Sequence, residues 1–189
     1  MLWDDFINSD WHDWRGSGRS EDRLDQEQWL RWFMEQDGVT AAELPGEQEV
    51  SELKQLRSFL HDLVRHITSG RELMTNQIEQ LNAWMGKAPV YRQLSPSHAP
   101  GMQLQYSPAH ANWTQVMAEI SASFASAIVH GEPSRFRICD NPDCLWVYYD
   151  DTRNRSKRYC DDKMCGNLMK VRRFRAKKKQ SVSSPSDPE

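Results

Sequence analysis

Four cysteines in the C-terminal quarter of the chain have the spacing of a metal site. Four residues separate Cys139 from Cys144 and Cys160 from Cys165, and fifteen residues lie between the two pairs. Two short-spaced pairs suit a tetrahedral Zn²⁺ ion, because each pair supplies two neighbouring ligands from one turn. Four thiolates leave no coordination position for water or substrate. The spacing therefore predicts one structural zinc ion that does no chemistry.

The alternatives to zinc are two disulfides, four unrelated buried thiols, or an iron–sulfur cluster, whose common spacings differ. The first residues, Met1–Asp5, lack the basic start and apolar run of a signal peptide, and no stretch of about 18 apolar residues occurs. We therefore expect a cytoplasmic protein without a membrane partner. In a reducing compartment, clustered cysteines are more often metal ligands than disulfides.

A strongly basic segment follows the last cysteine pair. From Lys163 to Lys179 the chain holds eight cations in seventeen residues and no acidic residue. Apolar residues recur within it at helical spacing, at Met164, Leu168, Val171 and Phe174. This pattern predicts a helix that packs its apolar stripe on the zinc module and turns its cations towards the phosphates or major groove of double-stranded DNA.

Charge is divided unevenly along the chain. Residues 1–132 hold 10 Lys and Arg against 19 Asp and Glu, whereas residues 133–189 hold 14 against 8. We call residues 1–132 the helical body and residues 133–179 the zinc module, and we expect residues 180–189, which are polar and rich in Ser and Pro, to form a disordered tail. A basic end on an acidic body indicates a polyanionic partner for that end.

The elements of the zinc module follow from its local sequence. Leu145–Tyr149 is typical of a strand, Asp150–Asn154 of a turn, and Arg155–Tyr159 of a returning strand that brings Cys160 beside the first cysteine pair. We predict a β-hairpin followed by the basic helix. The predicted DNA contacts are Arg153, Arg155, Lys157, Arg158, Asn167, Lys170, Arg172, Arg173, Arg175 and Lys177.

The helical body is predicted to be mainly α. Apolar periodicity and end signals indicate helices from Ser20 to Gly38, from Ala41 or Glu47 to Ile67, from Arg71 to Met85, and from Pro108 to His130. Val90–Tyr106 is compatible with short strands or with a loop. The predicted fold class is therefore mainly α, a helical domain followed by a small zinc module built on four cysteines.

Residues around the second cysteine pair resemble the CGNR zinc-finger family. The resemblance rests on Cys165-Gly166-Asn167, on Arg137-Ile138-Cys139 and Arg158-Tyr159-Cys160, and on the basic run that follows. It covers about residues 134–177, and Leu168 stands where the family has arginine. The resemblance implies a zinc finger that binds DNA.

The helical body is similar to the ABATE domain, which precedes this finger in bacterial proteins. The similarity rests on Asp5-Phe6-Ile7-Asn8-Ser9, on the helix end from Trp29 to Gly38, on Leu53-x2-Leu56-Arg57, and on Leu81-Asn82. It implies a bacterial, mainly helical, stress-induced regulator of transcription.

Three hypotheses for the function follow. The first is a transcription regulator whose helical body senses or assembles and whose basic helix binds DNA. The second is a zinc-stabilised adaptor that binds RNA or an acidic protein partner, and the third is an enzyme housed in the body. A small-molecule effector of unknown identity would bind near Asn8, Trp11 and Trp14. The sequence assigns no catalytic residue, and it leaves the oligomeric state, the DNA target and the direction of regulation open.

Overall fold

The first helix, α1 (Leu2–Ile7), lies at the centre of the apolar core. In this computed structural model, which describes residues 1–97 and 101–182, Trp3 and Phe6 are fully buried and Ile7 nearly so. Alternating aromatic and acidic residues did not predict a helix here. The helix forms because its apolar side chains pack against the two longest helices of the body, Glu47–Thr68 and Trp113–His130.

The helices predicted for the body are all present. They are α2 (Glu27–Asp37), α3 (Glu47–Thr68), α4 (Thr75–Met85) and α5 (Trp113–His130). Six leucine, valine and isoleucine side chains of α3 recur at helical spacing and are buried, as predicted: Leu53, Leu56, Leu60, Leu63, Val64 and Ile67. No helix in the described part of the chain has both the length and the apolar character needed to span a membrane.

Several helix starts lie later than predicted. Ser20 does not cap α2, because Ser20–Asp22 forms strand β2, which pairs antiparallel with β1 (Asp10–His12) and leads into a 3₁₀ turn. The last body helix begins at Trp113, where the Asn112 side chain accepts a 2.9 Å hydrogen bond from the Gln115 amide. A side-chain cap therefore marks the start of α5, whereas α2 begins after Gln26 without one.

The segment left open between strands and loop forms a hairpin. Strand β3 (Val90–Pro96) pairs antiparallel with β4 (Met102–Pro108), with Leu94 opposite Leu104. Both leucines are more than half exposed, so this hairpin contributes little to the core.

The zinc module contains a two-stranded sheet, but not the predicted one. Strand β5 (Phe136–Ile138) pairs antiparallel with β6 (Val147–Tyr149). The prediction of Arg155–Tyr159 as the returning strand was wrong. Arg155 has φ of +51°, which a strand does not adopt, and the segment returns as an irregular loop.

The last helix, α6 (Asn167–Val182), begins directly after a single π-type turn over Asp162–Gly166. It extends through residue 182 and so includes the first residues of the predicted disordered tail. Residues 183–189 of that tail lie outside the described part of the chain.

The core is continuous between the helical body and the zinc module. Phe136 of β5 is 1% exposed, and its ring centroid lies 5.2 Å from that of Trp3 and 5.8 Å from that of Phe124. Val147 of β6 is fully buried in the same cluster. Burying each such side chain contributes about 1.5–3 kcal/mol. Apolar packing therefore stabilises the contact between the small module and the body. The predicted class, a helical domain with a small cysteine module, is confirmed.

Candidate metal centre and nucleic-acid interface

The four cysteines converge at one point. Their sulfur atoms all lie within 4.8 Å of one another, and no disulfide joins them. The Cys144–Cys160 and Cys160–Cys165 sulfur separations are 3.6 and 3.9 Å. Four sulfurs about 2.3 Å from a tetrahedral zinc ion stand about 3.8 Å apart, so the cluster has the size that Zn²⁺ requires.

The thiol chemistry of the cluster also fits a cation. Hydrogen bonds from the Cys144 and Cys160 thiols lower the pKa of Cys139, and the same bonds raise the pKa values of Cys144 and Cys160. The cluster alone therefore favours one thiolate held by neighbouring thiols. A divalent ion stabilises all four thiolates at once. The chain thus has a site for one structural zinc ion, with every tetrahedral position taken by sulfur.

Backbone geometry positions the first cysteine pair. The Cys139 amide donates to the Trp146 carbonyl at 2.8 Å, and the Cys144 amide donates to the Asn141 carbonyl at 3.0 Å. Leu145 takes φ of +57°, which reverses the chain directly after Cys144. This tight turn lets two cysteines five positions apart face the same ion.

Asn141 supports the cluster from outside the ligand set. Its side chain is fully buried, and its Nδ2 donates to Cys165 Sγ at 3.4 Å and to the Trp14 carbonyl at 2.8 Å. An amide that donates to a thiolate stabilises the charged sulfur. The burial of Asn141 is not visible in the sequence.

Asp150 organises the loop that returns to Cys160. Burial acts to raise its pKa, but hydrogen bonds from the Thr152 hydroxyl and from the Thr152 and Lys157 amides outweigh burial and hold the pKa below its usual range. The Lys157 amide donates to the carboxylate at 3.0 Å. The loop that carries Arg153 and Lys157 is therefore anchored by a buried carboxylate.

The zinc site fixes the rotation of α6. Cys165 is 1% exposed, and Met169 packs against the cysteine cluster. The predicted packing of the apolar stripe on the module was wrong, because Met164, Val171 and Phe174 are 44%, 44% and 69% exposed. A helix phased by a zinc ligand turns towards the cluster the residues four and seven positions later, which here are Met169 and Arg172.

Arg172 joins three parts of the molecule. Its Nη1 donates to Asp143 Oδ2 at 2.5 Å, and its Nη2 donates to the Arg15 carbonyl at 2.8 Å. Gly16, with φ of +88°, leaves room for this contact, because a Cβ there would lie 2.7 Å from Nη2. The side chain predicted to contact DNA thus spans from α6 to the first cysteine pair and to the helical body.

The returning loop and α6 share one basic surface. The Arg173 guanidinium donates to the Tyr159 hydroxyl and lies 5.8 Å from the centre of its ring. Arg153, Lys157 and Arg158 line a depression of about 360 Å³ beside the same tyrosine. These cations are therefore neighbours in space as well as in sequence.

The other predicted DNA contacts differ in their surroundings. On α6, Asn167, Lys170, Arg175 and Lys177 are exposed to solvent, whereas Leu168, at the family's arginine position, is half-buried. In the loop, two cations form ion pairs with carboxylates: Arg155 with Glu132 at 2.6 Å and Arg158 with Asp140 at 2.7 Å.

The three residues predicted near an effector site contact the zinc module or lie beside it. Asn8 is buried, with Nδ2 donating to the Val147 carbonyl and Oδ1 accepting from the Val147 amide, both at 2.8 Å. Trp14 packs against the cysteine cluster, and Trp11 lies under Arg23. Asn8 also lines a cavity of about 430 Å³, together with His61 and Leu145.

Comparison with known families agrees with this architecture. Residues 135–178 match the CGNR zinc finger, and residues 2–131 match the ABATE family, described as "Putative stress-induced transcription regulator". A search of the curated proteins found no match. These families describe a putative regulator of transcription and a zinc finger. The ABATE match covers more than half of the chain, and the chain therefore belongs to the ABATE family, with a CGNR zinc finger after the ABATE domain.

Proposed function

We propose that the protein is a DNA-binding transcription regulator in which the zinc module presents α6 to the duplex. The observation that carries the proposal is the outward surface of α6. This surface is opposite the zinc cluster, and no acidic residue occurs between Lys163 and Lys179.

The exposed face of α6 has the chemistry of a base-reading surface. Asn167, Lys170, Val171 and Phe174 follow one another at positions i, i+3, i+4 and i+7, and so lie on one face of the helix. Asparagine pairs with adenine, lysine with guanine, and apolar side chains with the thymine methyl group. Val171 and Phe174 do not pack on the zinc module. In this arrangement their role is to contact thymine methyl groups.

Cations at the edges of that face supply phosphate contacts. Arg173, Arg175 and Lys177 come from α6, and Arg153 and Lys157 come from the anchored loop. Arg155 and Arg158 already pair with carboxylates, and Arg172 is held by Asp143, so we assign these three residues a smaller part in binding. The acidic helical body repels the duplex and favours approach through the basic surface.

The test is a titration of zinc-loaded protein with labelled duplex DNA over a salt series. About five or six phosphate contacts predict a log–log slope of magnitude about 4 to 6. Random-sequence duplex suffices for this measurement, because phosphate contacts do not depend on sequence. Absence of duplex binding near physiological salt would contradict the proposal.

A pair of matched variants sharpens the test. Arg175→Gln with Lys177→Gln should reduce the slope by about 2, since each lost phosphate contact removes about 0.9. The control is Arg31→Gln with Arg92→Gln, which removes two exposed cations from the helical body and should leave the slope unchanged.

The exposed Phe174 and Val171 also favour the second candidate function, an adaptor that binds RNA or an acidic protein. Single-stranded RNA added as a competitor in the same titration separates the regulator from an adaptor that binds RNA. A regulator of the proposed kind stays bound to duplex DNA when an equal mass of RNA is added. An adaptor that binds RNA instead exchanges the duplex for the RNA.

A further inference from the structure

A groove lies where the helices of the body meet the strand that enters the zinc module. It has a volume of about 860 Å³ and lies between the end of α3, the helices α4 and α5, and strand β5. Its walls are mainly apolar, including Ile67, Ile78, Leu81, Met85, Ile128 and Phe136. Sites for small molecules have volumes of roughly 300 to 1,000 Å³ and walls of this character.

Apolar side chains remain exposed along the groove. Ile78 of α4 is 46% exposed and Val129 of α5 is 72% exposed, and both line it. Large apolar side chains that share one concave surface mark a binding site more often than scattered ones do. A ligand lying between α4 and α5 would remove this surface from water.

An arginine on the groove has an unused donor. The Nε of Arg137 is shielded from solvent and has no hydrogen-bond partner among the described residues, while its Nη2 donates to the Arg155 carbonyl at 3.0 Å. A buried donor without an acceptor costs free energy, which a small rotation of the side chain towards an acceptor in the groove would recover.

The charges around the groove favour an anion. Arg71 and Arg137 line it, and Glu72 is the one carboxylate among the lining residues described. Asp150 lies near Arg137, but its oxygens already accept hydrogen bonds from Thr152 and Lys157. Among the described lining residues, two arginines and one glutamate leave one excess positive charge for an acidic ligand.

We infer that this groove binds a small apolar molecule with one acidic group, such as a medium-chain fatty acid. The apolar part lies between α4 and α5, and the carboxylate accepts a hydrogen bond from Arg137 Nε. Apolar burial supplies most of the affinity, and the arginine selects an acid over a neutral molecule of the same shape.

The position of the groove suits an effector site. Phe136 and Arg137 belong to β5, which ends one residue before the zinc ligand Cys139. A ligand that contacts β5 therefore touches the connection between the two parts of the chain. This regulatory role depends on the DNA binding proposed above, whereas binding of the acid does not.

The test uses dodecanoate, below its micelle concentration, as the probe in calorimetric titration of the zinc-loaded full chain. We expect one dodecanoate per chain. Dodecanol, which has the same apolar part without the charge, should bind at least about tenfold more weakly, because it forms no charge-assisted bond to arginine.

Two variants locate the site, and one serves as a control. Arg137→Gln should weaken dodecanoate about tenfold and leave dodecanol unchanged. Ala125→Phe places a ring in the groove and should abolish binding of both probes. Arg92→Gln removes one exposed cation from β3 and should change neither affinity.

Four results separate the possibilities. Absence of dodecanoate binding, or equal affinity for acid and alcohol on the unaltered protein, would overturn the inference. A dimer that Ala125→Phe dissociates would also overturn it, because a second copy would then cover the groove. Dodecanoate binding as expected by a protein that binds no duplex would support the inference and contradict the proposed function.

Discussion

Two arginines three residues apart on α6 have different roles. Both were predicted as DNA contacts, and both lie in the same basic run. Arg175 is exposed, whereas Arg172 donates to Asp143 and to the Arg15 carbonyl. Their distances in sequence from Cys165 explain the difference, since seven residues, two helical turns, return Arg172 to the face of the zinc ligand.

Substitution should separate these roles. Arg172→Gln is expected to lower the free energy of unfolding by about 1–2 kcal/mol, because it removes two charged hydrogen bonds that are partly exposed to solvent. Arg175→Gln should change stability by less than about 0.5 kcal/mol and weaken duplex binding. Urea unfolding of zinc-loaded protein, followed by circular dichroism, measures the first effect. Equal stability of the two variants would contradict the assignment.

Asp37 makes the stability of the body depend on pH. Burial, reinforced by Asp5, raises its pKa to about 6, and its Oδ2 has no hydrogen-bond partner among the described residues. Between about pH 4 and pH 6, Asp37 is therefore protonated in the folded state and ionised in the unfolded state. The contribution of Asp37 to stability falls as pH rises through that window.

Asp37→Asn should accordingly stabilise the protein above pH 7. We expect about 1 kcal/mol, a value reduced for the solvent exposure of the carboxylate, and a smaller difference from the unaltered protein at pH 5. Thermal unfolding at pH 5 and pH 8, with zinc content checked, gives the comparison. Glu79→Gln on α4 controls for the loss of one exposed negative charge. If the difference in stability between the variant and the unaltered protein were the same at both pH values, ionisation of Asp37 would not be its cause.

At the scale of elements, features that depend on local sequence were predicted better than strand pairings were. The leucine spacing of α3 and the cysteine spacing are local, so the sequence was sufficient for both. The partner of β6 was not predictable, because a three-residue strand has little pattern and its position depends on Asn8, 139 residues away in sequence. The rotation of α6 was predictable in principle, since Cys165 had to face the zinc ion and Met169 follows on the same side.

The Asn8 side chain binds the backbone of β6 with the two hydrogen bonds that a neighbouring strand would otherwise supply. It satisfies both the amide and the carbonyl of Val147 inside the core. Asn8→Ala should lower the free energy of unfolding by about 2–4 kcal/mol, because it leaves two buried backbone groups without partners. Asn76→Ala, at an exposed position of α4, is the matched control. If both variants unfold at the same urea concentration, Asn8 does not fasten the strand.

At the scale of the whole molecule, zinc binding and the stability of the helical body are linked. Phe136 and Val147 belong to the zinc module and are buried in the body core. Removing zinc with a chelator should loosen both and lower the unfolding midpoint of the helical signal by about 5–10 °C, since each buried side chain contributes about 1.5–3 kcal/mol. An unchanged midpoint after complete zinc removal would mean that the body folds independently of the module.

The whole-molecule charge pattern was visible in the sequence, whereas the groove beside Arg137 was not. Opposite charges on the two parts follow from composition alone. The groove requires α4, α5 and β5 to meet, and these are separated by loops and a hairpin whose paths no local pattern specifies.

The presentation of α6 to DNA by the zinc module is tested most directly by nuclear magnetic resonance. Zinc-loaded protein labelled with nitrogen-15 is titrated with duplex DNA, and the amide shifts are followed residue by residue. We predict that the largest shifts fall on α6 from Asn167 to Lys177 and on the loop around Arg153 and Lys157. Shifts concentrated in the helical body, or none at saturating DNA, would contradict the proposed interface.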